Sequence, residues 1–172
     1  MVVFADELDA PYVERVPIPP PGRVITGRWA YYAAYLAARP DVRMVFLTDA
    51  RDVTCLHDPF PHMEPGVIYC GSEPQVLGCP WMLRNHPPPV DWLRANAGLL
   101  LLNCGLVGGD RLTVLHLARR MAEEIEGRDL EHDMGPLNYI VYAEALPFVT
   151  GPLVHTRFKA EETDSPAWFK HK

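Results

Sequence analysis

The sequence lacks most of the features that fix a function class at once. It has no apolar run near the roughly 18 residues needed to cross a bilayer, so no transmembrane helix is expected. It has no excess of positive charge. Sixteen Lys and Arg against twenty-two Asp and Glu leave a formal −6, which argues against broad binding to a nucleic-acid backbone. The four cysteines, Cys55, Cys70, Cys79 and Cys104, make no CxxC pair and no metal-finger spacing. No glycine-rich phosphate loop opens the chain, no unit repeats, and Asp6, Glu7 and Asp9 interrupt the start, where a secretory leader would be apolar. These features give the expectation of a cytoplasmic protein whose cysteines are reduced packing residues.

What is present suits one globular domain spanning 1–172. Apolar residues make up 48% and charged residues 22%, an ordinary balance for a folded chain. Eighteen prolines, roughly twice the usual share, imply rigid connectors, chiefly at 17–22 (PIPPPG) and 87–89. Short strands are expected at 1–5, 44–47, 67–70, 99–102, 148–149 and 153–155. Thr26 is expected to cap a helix over 27–38 that Pro40 stops. Asp110 is expected to cap a helix over 111–125, with Leu112, Leu115, Ala118, Met121, Ala122 and Ile125 on one face. A further helix is expected to start near Asp133 and run through Leu137, Asn138, Ile140 and Val141. Strands alternating with helices predict an α/β domain, with a mostly parallel central sheet flanked by helices.

In open α/β sheets, ligands bind beyond the carboxyl ends of the strands. Asp49 and Asp52 directly follow 44–47, and Asn103 directly follows 99–102. Two carboxylates three positions apart on a tight turn can face one hard cation, Mg²⁺ or Mn²⁺. The plain alternative makes them solvated turn residues with Arg51 as a local ion partner. Each other candidate has a plain role too. His155 suits a satisfied core histidine, Lys159 a solvated charge and Asn103 a turn bridge. Asp133 suits a helix cap worth ~1 kcal/mol. The remaining histidines, His57, His62, His86, His116, His132 and His171, share no metal-ligand spacing. Trp81, Trp92 and Trp168 suit either packing or stacking on a sugar.

Four blocks in order carry a resemblance: VFLTDARDVTCLHDPF (45–60), LLLNCGLVGG (100–109), DMGPLNYIVY (133–142) and VHTRFK (154–159). Over residues 41–160 the chain resembles nucleotide-sugar glycosyltransferases of the GT-A fold, the retaining, DxD-type, glycogenin-like superfamily. A hydrophobic strand ends in an acidic motif, here D-x-x-D where many relatives have D-x-D. An apolar strand ends in Asn-x-Gly, an Asp opens a D-x-x-x-L-N helix start, and a His stands four residues before a Lys. The resemblance implies a metal-dependent transfer of a hexosyl or pentosyl group from a nucleotide diphosphate sugar donor to an acceptor that is a small molecule, a glycan or a protein.

The resemblance also implies roles. Asp49, Asp52 and His155 match the ligands of Mn²⁺ or Mg²⁺. Asp49, Lys159 and Gly105 match contacts to the donor, with Lys159 on the diphosphate. Asn103 and Asp133 match residues near the donor sugar and the reacting centre. The basic, aromatic tail WFKHK either folds over the donor phosphates or frays. The family opens with a strand and loop that hold the nucleotide base, and this chain starts at what reads as the second strand. The base pocket is therefore expected to be built from other residues, or completed by a homo-oligomer. The rival expectation is a non-catalytic sugar- or partner-binding relative. An enzyme transferring a nucleotide in place of a sugar would usually show the glycine-rich phosphate loop that is lacking here.

Overall fold

The computed structural model describes residues 2–4, 14–16, 24–50, 52–86, 90–157 and 165–171. Lys159, Arg51, the two proline segments and the ends of the 1–5 strand lie outside the described residues. In chain order the elements are β1 (Val2–Phe4), β2 (Glu14–Val16), α1 (Val24–Ala38), β3 (Met44–Thr48), β4 (Val53–Cys55), β5 (Ile68–Val76), α2 (Pro80–Asn85) and α3 (Val90–Ala95). They continue with β6 (Leu100–Asp110), α4 (Arg111–Arg128), α5 (Met134–Ala143), β7 (Phe148–Val149), β8 (His155–Arg157) and β9 (Phe169–His171).

The fold is α/β, and its central sheet runs in the order β3-β6-β5-β7. The β3/β6 and β5/β6 pairs are antiparallel and β5/β7 is parallel. The expectation of a mostly parallel sheet is therefore corrected to a mixed one. Continuous apolar runs such as MVFL report burial on both faces, which parallel strands usually have. Here both faces are covered by other means. Helices α1, α4 and α5 pack one face around Trp29, Leu102, Leu117 and Ile140. The small sheet β4-β9-β8 covers the other, around Tyr69, Leu106, Trp168 and Phe169. Leu106 and Val107, neighbours on β6, go to opposite clusters, as strand alternation requires. Phe46 lies over Gly108, where a Cβ would come within 2.5 Å of the ring, and packs on Phe169 at 4.5 Å between centroids.

Asp110 caps α4 as its position suggests: its Oδ1 accepts from the N–H groups of Leu112 and Thr113 at 3.0 and 3.2 Å. Leu112 departs from the expected apolar face and is exposed, whereas Leu115, Ala118, Met121 and Ile125 are buried. Helix α1 starts at Val24, so Thr26 lies inside it and does not cap it.

Strand β6 does not end at Asn103, as the Asn-x-Gly block suggests, but continues to Asp110 because β3 pairs with its second half. Two irregularities interrupt its pairing with β5. Cys70 pairs with Val107 but Gly71 with Asn103, so residues 104–106 bulge off β5. Ser72 pairs with Leu102 but Val76 with Leu100, so residues 73–75 bulge off β6. Bulges of this kind re-aim side chains and recur beside functional sites. Asn138 of α5 fixes β6 just before the first bulge: its Oδ1 accepts from Leu102 N at 2.8 Å, and its Nδ2 donates to Leu102 O at 3.0 Å.

Candidate functional site

The bulge at 104–106 brings three polar side chains to one point. The Asp49 N–H donates to Gly105 O at 2.9 Å, which ties the turn after β3 to the bulge. A Cβ on Gly105 would lie 2.7 Å from Asp49 Oδ2, 2.9 Å from His171 Nε2 and 3.0 Å from Asn103 Oδ1. Only a residue without a side chain leaves room for that convergence. Gly71 plays a related part on the neighbouring strand, where a Cβ would come within 3.3 Å of His171 Nδ1.

Each member of the group is held from behind. Arg28, on α1, forms an ion pair with Asp49 through Oδ1. Asp49 Oδ2 is the oxygen on the Gly105 side. Asn103 donates through Nδ2 to Glu73 Oε1 and accepts the Gly105 N–H through Oδ1. His171 is buried on β9, beside the similarly buried Phe169 two residues before it.

Behind this group stands Asp133. Its Oδ2 accepts from Arg28 Nη2 at 2.7 Å, Arg28 Nε at 3.0 Å and Trp29 Nε1 at 2.9 Å. Asp133 occupies the N-cap position of α5, yet its side chain makes no capping hydrogen bond. Its carboxylate is a buried counter-ion that positions Arg28. Burial opposes the charge on Arg28, but the carboxylates of Asp133 and Asp49 outweigh it and hold the guanidinium above its usual range. Arg28 therefore stays charged. Burial, and then the nearby Asp133, push the Cys104 thiol well up, so it is not a thiolate nucleophile.

Of the expected metal ligands, Asp49 and Asp52 lie in the connection between β3 and β4, and His155 lies on β8. Asp49 is in the group; Asp52 follows in the turn leading into β4. His155 is buried on β8, where its Nε2 accepts the Ser72 N–H at 2.9 Å. Its ring lies 6.2 Å from that of His171, so it backs the imidazole that reaches the group. Among the described residues, no three His, Cys, Asp or Glu side chains gather closely enough to hold a metal ion. The gathering at Gly105 is of a different composition: one carboxylate, one imidazole and one amide oxygen, all suitable donors for Mn²⁺. Asn103 and Gly105 are brought together with Asp49, and Asp133 joins them through Arg28.

Sequence reasoning missed Arg28, Glu73 and His171. Arg28 had a signal, being the single charged residue in the otherwise apolar VITGRWAYYAAYLAA of α1. His171 had a weak one, the alternation of Phe169, Lys170 and His171. Glu73 had none.

Beside the group, beyond Glu73, lies a cavity of about 460 Å³. The 73–75 bulge, Trp81 of α2 and Met134 of α5 form parts of its wall. No protein-family model matches the chain, and no curated protein matches it.

Proposed function

We propose that the protein is a metal-dependent glycosyltransferase, acting on a nucleotide diphosphate sugar through the site at Gly105. The observation that carries this is the convergence of Asp49 Oδ2, His171 Nε2 and Asn103 Oδ1 on the space that Gly105 leaves open. The charge balance supports it. Three carboxylates, Asp49, Asp133 and Glu73, against the one guanidinium of Arg28 sum formally to −2. An anionic diphosphate fits beside such a cluster only if a cation accompanies it. Asp49, His171 and Asn103 are the residues that would hold Mn²⁺ or Mg²⁺.

When bound, the ion supplies charge stabilisation to the departing diphosphate. The chain's own residues do the rest. Arg28, kept protonated and anchored on Asp133, is a preorganised cation for the same developing charge. Asp133 is thereby a positioning residue. Lys159, by the resemblance, adds a further diphosphate contact.

The test is calorimetric titration of a panel of nucleotide diphosphate sugars with and without Mn²⁺. Binding of at least one donor should require the ion. It should fall by about 10²-fold in Asp49→Asn, on the scale of a lost charge-stabilising group. A folded protein that binds no donor would remove this function. Arg28 already neutralises part of the charge on Asp49 and Asp133, which favours one second reading: a relative that binds sugar without turnover. Donor binding with no hydrolysis or transfer would select that reading.

A further inference from the structure

We infer that the cavity of about 460 Å³ beside Glu73 is a binding site for a neutral pyranoside, stacked on Trp81. Within the transferase proposal this pyranoside is the acceptor. The volume falls within the roughly 300–1,000 Å³ of small-molecule sites.

Three observations carry the inference. The first is Trp81. It is 40% exposed and lines the cavity, yet its ring is braced by two imidazoles, His86 at 5.3 Å and His132 at 5.7 Å between centroids. Helix α2 is itself anchored by fully buried Met82. An indole held in place without being covered gives a large apolar face at little entropic cost on binding. Such a face suits the C–H side of a sugar ring.

The second observation is the polar part of the wall. Glu73, Gln75 and Arg84 line the cavity together with Trp81. They provide hydrogen-bond acceptors and donors for hydroxyl groups, while Leu101 and Met134 form apolar wall. Glu73 and Arg84 together leave the wall with no net formal charge, so the cavity suits an uncharged polyol better than the donor's diphosphate.

The third observation is continuity. Glu73 lines the cavity and also accepts the hydrogen bond of Asn103, which belongs to the group at Gly105. A sugar hydroxyl placed against Glu73 lies on the path from the cavity to that group. The 73–75 bulge of β5 is what puts Glu73 and Gln75 on this wall.

The experiment is saturation-transfer NMR of the full chain with methyl α- and β-pyranosides and simple disaccharides, with neither metal nor nucleotide present. At least one pyranoside should show transfer. Its affinity should fall roughly tenfold in Trp81→Ala, be largely retained in Trp81→Phe and drop in Glu73→Gln. Trp81→Phe guards against a fold defect in the alanine variant. No pyranoside binding by the folded protein, or binding indifferent to Trp81→Ala, overturns the inference. So does a Trp81→Ala variant that loses a nucleoside diphosphate and keeps its pyranoside, for the cavity would then hold the base. The acceptor role rests on the transferase reading, whereas the pyranoside site does not. A chain that binds a pyranoside through Trp81 but rejects every nucleotide sugar loses the first and keeps the second.

Discussion

Gly105→Ala separates function from stability at the proposed site. The new methyl would sit 2.7 Å from Asp49 Oδ2, 2.9 Å from His171 Nε2 and 3.0 Å from Asn103 Oδ1, where ordinary contact begins at 3.4 Å. The carboxylate must therefore retreat by about 0.7 Å, the imidazole by about 0.5 Å and the amide by about 0.4 Å. All three atoms are side-chain ends, but each is held from behind, so the crowding costs about 1–3 kcal/mol. The more restricted unfolded chain offsets part of this, by about 0.5–1 kcal/mol. Geometry is less forgiving, since a displacement near 1 Å at a reacting centre costs about 10²-fold. The variant should melt within a few degrees of the parent while Mn²⁺-dependent binding of a nucleotide diphosphate falls by one to two orders of magnitude. Thermal melting and calorimetry on the same preparation give both numbers. Undiminished metal-dependent binding in Gly105→Ala would refute the reasoning, because the donors would not then meet where that methyl stands.

Arg28→Met should strand the Asp133 carboxylate in the interior with Trp29 Nε1 as its remaining donor at that oxygen, costing about 3–5 kcal/mol in denaturant unfolding. Asn138→Ala should leave the Leu102 N–H and C=O without their side-chain partner in the core. It should cost about 3 kcal/mol by the same assay. Burial, and then the neighbouring His132, lower the pKa of His86 from 6.5 to about 4, with Asp133 opposing them. The unfolded chain therefore takes up a proton that the folded chain refuses. Stability should fall as pH drops from about 6.5 towards 4, by at most about 1.4 kcal/mol per pH unit from this group. Melting temperatures across that range should decline less steeply in His86→Gln.

The local parts of the fold were legible because their causes are local. Asp110 followed by an apolar repeat is a complete description of how α4 begins, and MVFL is enough to place β3. Strand direction was not legible, because an apolar run records burial and not which partner lies alongside. The Gly-rich stretch after Asn103 reads as a turn, and it is strand because β3 pairs with it from far away in sequence. The site divided in the same way. Asp49, Asn103 and Gly105 were visible as polar and glycine residues directly following apolar runs. His171 was hidden because β9 is three residues long and is placed only by β4 and β8 on either side. Asp133 was visible as a helix start, but its actual bond partners, Arg28 and Trp29, lie about a hundred residues earlier.

The most direct measurement is Mn²⁺ titration of histidine-labelled protein followed by NMR, with a nucleoside diphosphate present. The resonances of His171 should broaden at the lowest ion concentrations, ahead of exposed His57 and His116, and His171→Ala should abolish the high-affinity phase. If His171 stays sharp while other histidines broaden, or if none responds, Asp49, Asn103 and His171 do not hold an ion together.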